Sequence, residues 1–150
     1  MTGRAVPPEQ EIEERARVVR IAKEWENTPY ASHQMKKGAG CDCITFIVAI
    51  YEEAGLVGRI VLPPYSEQWH LSHCEEKYLN ELVKYCNEVS VGRAGDIMVV
   101  KMGHAFSHGA LVTDWPDVFH ATKGRGVIRT NAANDGKLIN RERKFFSIWQ

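Results

Sequence analysis

Between Glu9 and Asn27, Ile12, Ala16, Val19, Ala22 and Trp25 recur at helical spacing among charged residues. This predicts an amphipathic helix with a charged outer face. Asn27-Thr28-Pro29 ends it, because the residue before a proline avoids helical angles. Residues 1–8 are polar, contain Pro7-Pro8 and are expected to form a flexible lead-in. From Cys43 the apolar stripe becomes a continuous run: Ile44, Phe46, Ile47, Val48, Ala49 and Ile50 cover every face of a helix, which predicts burial. Gly55 stands where a left-handed cap closes such a helix. Pro63-Pro64 excludes a central strand. A short helix is expected over 67–73, carrying Trp69 and His70, and an amphipathic one over 75–88, with Tyr78, Leu79, Leu82, Val83 and Cys86 inward. The pattern changes at Val91-Gly92-Arg93-Ala94-Gly95. Strands are expected over 96–100, 108–113 and 118–121, with a tight turn around Pro116, and two more β-rich runs over 127–130 and 144–149. Helices first and strands after argue for an α+β class with an antiparallel sheet, and 150 residues suit one domain, 1–150.

Composition narrows the chemistry. An apolar share of 44%, a charged share of 25% and zero formal net charge give no electrostatic grip on nucleic acid or an anionic membrane. No apolar run is long enough for membrane insertion, and the polar N-terminus is not a secretory signal as it stands. Four cysteines, at 41, 43, 74 and 86, are too few for a disulfide framework. They read as free thiols made in a reducing compartment, the cytoplasm. No phosphate-cradling glycine motif is present.

Cys43 falls at the start of the apolar helix, where free N–H groups and the helix dipole favour a thiolate. The bland alternative is a small buried hydrophobe, the common fate of a free cysteine. His108 heads one strand and His120 lies on the next, so the two rings can meet across a hairpin while one nitrogen of His108 stays aimed at the helix start. A thiol, an imidazole and a group that orients the imidazole are what nucleophilic cysteine catalysis requires. His104 is close enough in sequence to compete for the base role. A zinc site built from Cys41, Cys43, His104 and His108 is the rival, but one residue between the cysteines is fewer than zinc pairs use. No metal is expected.

Several segments in order carry a resemblance: Thr28-Pro29-Tyr30, the Gly38–Cys43 approach to the helix, Gly95-Asp96-Ile97, Ser107-His108-Gly109 and Phe119-His120-Ala121. The chain resembles the NlpC family of papain-like cysteine peptidases of bacterial cell walls. Pro29–Gln34 and Pro63-Pro64-Tyr65 make it most similar to the phage-type members. The resemblance spans about Thr28 to Ala121. It implies a papain-like fold, with N-terminal helices and a nucleophile helix packed on a small antiparallel sheet. It implies catalytic roles for Cys43 as nucleophile, His108 as base and His120 as orienting group, and a place beside the oxyanion for Tyr30. It further implies that Asp42 contacts a substrate amine. His33 and Trp69 read either as loop packing or as residues lining the cleft. The implied substrate is the peptidoglycan stem peptide, cut at a γ-D-glutamyl to diamino-acid bond through an acyl-thioester, with no cofactor. Ile44 and Thr45 depart from the family, where small polar residues follow the cysteine. The alternative is a non-catalytic phage-tail component, with tail proteins as partners and a virion or prophage origin.

Overall fold

The computed structural model describes residues 3–66 and 76–150. The short helix expected over 67–73, with Trp69 and His70, lies outside the described residues, as does Cys74.

Helix α1 (Pro8–Glu24) opens on a proline in its first turn, where no N–H is needed, with Glu9 and Glu11 at its positive end. It buries Val18, Ile21 and Ala22. It also buries Arg15, which donates to Asp96 Oδ1 at 2.9 Å and to the Ala94 carbonyl at 2.8 Å, and stacks 4.2 Å over the Trp149 ring. That explains the Gly95-Asp96 pair: Gly95 takes φ +89° and Asp96 receives the buried cation. Within the lead-in expected to be flexible, Arg4 is instead fastened. Arg4 exchanges backbone hydrogen bonds with Ile148 and Gln150, and its guanidinium pairs with buried Glu14 at 2.7 Å.

Two short strands, β1 (Met35–Lys36) and β2 (Gly40–Cys41), form a small hairpin that delivers the chain to α2 (Thr45–Glu53). Phe46, Ile50 and Tyr51 of α2 are buried, while Val48 and Ala49 are half-exposed, so the helix is deeply but not wholly enclosed. It closes as expected at Gly55, φ +76°: Gly55 N–H bonds to Glu52 and Leu56 N–H to Tyr51, both at the carbonyl. This is a Schellman cap.

The amphipathic run expected over 75–88 divides. Helix α3 covers only Lys77–Leu82, and Asn87–Val89 turns into strand β3 on the sheet edge. The remaining strands are β4 (Ile97–Met102), β5 (Ala105–Asp114), β6 (Asp117–Thr122), β7 (Gly126–Asn131) and β8 (Arg143–Ser147). They form one six-stranded antiparallel sheet in the order β3-β8-β4-β5-β6-β7. Alternation splits the buried positions between two faces. Ile97, Val99, Leu111, Phe119 and Val127 pack with α1 and α2; Met98, Val100, Ala110, Val112 and Val118 pack under Ala132 and Leu138 of the β7–β8 connection. The fold is α+β.

Candidate active site

The entry to α2 is built by Asp42, which is 2% exposed. Its Oδ1 accepts the N–H groups of Ile44 and Thr45, both at 2.9 Å, while Thr45 Oγ1 accepts the Asp42 N–H at 2.9 Å. The first helical hydrogen bond, Phe46 N–H to the Asp42 carbonyl, follows at 3.0 Å. Asp42 is therefore the working N-cap, with Thr45 reciprocating as a capping-box partner, and Cys43 occupies the first position after it. This accounts for a threonine where the family resemblance leads one to expect a small residue.

Oδ2 of Asp42 accepts His33 N–H at 2.8 Å and the Tyr65 hydroxyl at 2.5 Å. His33, at φ +66°, lays its ring 4.3 Å from the Tyr65 ring and reaches the Tyr65 carbonyl through Nε2 at 2.7 Å. Asp42, expected to face substrate, thus carries four donors of the protein's own, and His33, expected to line the cleft, braces the Pro63-Pro64-Tyr65 segment. Tyr30 forms a parallel bridge with Cys41 and packs half-buried on the core beside the helix entry. Trp69 lies outside the described residues.

Cys43 is half-buried. Its thiol lies 3.7 Å from the Ser107 carbonyl, on the strand segment that carries His108. Tyr78, read from its spacing as a core residue of α3, donates its hydroxyl to the Cys43 carbonyl at 3.1 Å. Gly109 makes room for it, since a Cβ there would overlap the Tyr78 hydroxyl. Burial, and then the Asp42 charge, push the Cys43 thiol up to about 12, against the N–H of Gly109, the Lys137 charge and its own N–H, which pull it down. The expectation of a thiolate favoured by the helix start is thus reversed at rest: desolvation and a neighbouring carboxylate outweigh the dipole.

His108 Nε2 and His120 Nδ1 are 2.7 Å apart, with the rings nearly perpendicular. His120 is fully buried, and burial lowers it to about 4, so it is neutral at pH 7. Its Nε2 faces Thr130 Oγ1 at 3.4 Å. His104 is exposed in the β4–β5 turn, away from this pair in register. Cys41 is buried in β2, and burial raises its thiol to about 12. Among the described residues, no group of three or more His, Cys, Asp and Glu side chains is arranged to hold a metal ion, and no helix is long and apolar enough to cross a membrane.

Solved structures identify the architecture. The NlpC/P60 domain of the peptidoglycan hydrolase SagA superposes with a TM-score of 0.57 at 18% identity, covering 87% of this chain and 96% of that one. The chain has the NlpC/P60 fold. NlpC2 from Trichomonas vaginalis matches with a TM-score of 0.67 at 10% identity over 91% of this chain. The peptidoglycan hydrolase RipB from Mycobacterium tuberculosis matches with a TM-score of 0.62 at 15% identity over 97%. This chain spans 47% of the NlpC2 structure and 69% of the RipB structure. No family model and no curated protein matches the sequence. The NlpC/P60 fold therefore stands on the arrangement of elements.

Proposed function

We propose that the chain, as a single NlpC-type domain over 1–150, is a cysteine hydrolase of bacterial peptidoglycan stem peptides. The observation that carries this reading is the alignment at one sheet end: the Cys43 thiol lies against the strand bearing His108, and His108 is hydrogen-bonded to a second, buried imidazole. The fold shared with the peptidoglycan hydrolases SagA and RipB supports it.

Proton accounting supports these roles. His120 is neutral and carries one N–H. If that proton is on Nε2, directed at Thr130, its Nδ1 is the acceptor for His108 Nε2–H. His108 is then left with a basic Nδ1, the nitrogen that takes the thiol proton. A Cys43 thiol near 12 calls for proton transfer in step with attack rather than a standing thiolate. The sulfur adds to the scissile carbonyl, and the Cys43 N–H at the helix start stabilises the oxyanion with Tyr30 beside it. His108 returns its proton to the leaving amine. Water, deprotonated by His108, then hydrolyses the acyl-thioester. A γ-D-glutamyl to diamino-acid bond is the assigned target, and no cofactor takes part. An amine can reach Asp42 only by taking the place of the Tyr65 hydroxyl on Oδ2, which makes the Pro63–Tyr65 segment part of the substrate-binding edge.

Digestion of defined stem peptides with mass-spectrometric readout tests this reading. One γ-D-glutamyl cut by the wild type, lost in Cys43→Ala, is expected; equal turnover by Cys43→Ala would end the proposal. A non-catalytic phage-tail role is the second reading, favoured by the raised Cys43 thiol. It predicts no turnover of any stem peptide and stable binding to tail proteins.

A further inference from the structure

The β7–β8 connection brings a cation to the histidine-bearing face of the sheet. Ala132 and Leu138 of this connection pack on Met98, Val100, Ala110, Val112 and Val118. Val100 pairs with His108 in the β4–β5 register, and Val118, His120 and Thr122 alternate along β6, so His108, His120 and Thr122 share the face that the connection covers. Lys137 projects from the connection onto the end of that row. Its Nζ donates to Thr122 Oγ1 at 2.6 Å, one strand repeat beyond His120.

Three properties make this lysine more than a surface charge. It is half-buried, and burial lowers its pKa, so its ammonium lacks part of its water shell. Among the described residues no carboxylate pairs with it: the nearby Asp135 is engaged by Arg125 at 3.5 Å and by the Lys137 backbone N–H at 2.8 Å. It is also near enough to Cys43 for each charge to shift the other's titration, Lys137 favouring a negative sulfur. An under-solvated ammonium held by one neutral hydroxyl, one strand repeat from His120 on the histidine-bearing face, is a site for an anionic group of the substrate.

We propose that Lys137 is a specificity-determining residue that binds a free carboxylate on the acyl side of the scissile bond. In a γ-linked D-glutamyl residue this is the α-carboxylate, three carbons from the carbonyl under attack. The inference rests on the hydrolase reading above and deepens it by naming the group on the acyl side that the site reads. Thr122 holds the ammonium in place until substrate arrives.

The test compares two synthetic peptides, L-Ala-γ-D-Glu-L-Lys and its α-amidated form, with wild type and Lys137→Met. Wild type is expected to cleave the free acid about 10- to 100-fold more efficiently in kcat/KM, the range of a charge-assisted bond. Lys137→Met is expected to cleave the two at rates within about threefold of each other. The ratio is read within one protein, so partial misfolding does not imitate the result. Equal cleavage of both peptides by wild type overturns the proposal while leaving the hydrolase reading intact. So does an undiminished preference in Lys137→Met, or loss of both activities alike. Wild type that cleaves neither peptide overturns the hydrolase reading itself, and the inference with it.

Discussion

Asp42 is the residue on which the nucleophile's position depends, and its four donors let the dependence be measured in parts. In Asp42→Asn, Oδ1 still accepts Ile44 and Thr45 N–H, but an amide NH2 replaces Oδ2 and faces His33 N–H, now 2.8 Å from another donor. Tyr65 can rotate its hydroxyl to accept, so one donor is stranded, at about 2 kcal/mol. Asp42→Ala loses the cap as well, worth about 1 kcal/mol more, and leaves the Tyr65 hydroxyl without its acceptor, for a total of about 3–4 kcal/mol. Tyr65→Phe removes a single bond and should cost about 1 kcal/mol. In a domain of this size the alanine variant should melt about 6–16 °C lower. Urea unfolding of the three variants should therefore rank them alanine, asparagine, phenylalanine in falling cost. If Asp42→Asn unfolds within about 0.5 kcal/mol of wild type, the second oxygen is not fastening the His33 and Tyr65 segments and the reasoning fails.

Stability should fall with acid in two windows. His120 is depressed in the fold to about 4 from 6.5, so the unfolded chain binds the proton first; stability is full above 6.5 and drops by about 3 kcal/mol as pH falls to 4. Glu14 follows: burial raises it, but Arg4, Gln10 and Trp149 hydrogen bonds outweigh that and hold it near 2, so its contribution is lost between 4.5 and 2. Urea midpoints across pH check both, and His120→Asn should flatten the upper window; an unchanged slope in that variant contradicts the assignment. Gly109→Ala should destabilise by about 1–3 kcal/mol by driving Tyr78 off the Cys43 carbonyl, and adding Tyr78→Phe should recover part of the loss. Strict additivity in that cycle would exclude the contact. Iodoacetamide should label Cys43 before buried Cys41 and Cys86, at a rate still climbing above pH 9; a plateau by pH 7 would mean a thiolate formed in advance.

The strands were legible because short apolar, β-branched runs are bracketed by glycine and proline turn signals: β4, β5 and β6 fall within a few residues of the runs read from the chain. The Gly55 cap was legible for a similar reason, since a glycine after an apolar run has few other uses. Strand β3 was not, because Asn87–Val89 continues an amphipathic pattern and only its pairing with β8 makes it a strand. At the site, His108 and His120 could be paired in advance from hairpin logic. The raised Cys43 thiol could not, because it depends on how deeply the sulfur is enclosed and on an Asp42 charge whose orientation no spacing encodes. Tyr78 looked like one more inward aromatic; its hydroxyl partner is set by the packing of α3 on β5. Lys137 belongs to no motif, and only the fold of the β7–β8 connection brings it to Thr122.

The central claim is that the Cys43 sulfur becomes covalently acylated. Rapid acid quench of enzyme mixed with L-Ala-γ-D-Glu-L-Lys, followed by intact-protein mass and peptide mapping, reads this directly. The account predicts a transient L-Ala-γ-D-Glu adduct on the peptide containing Cys43, absent in Cys43→Ala. Turnover with no adduct at any time, or an adduct on another residue, would contradict it.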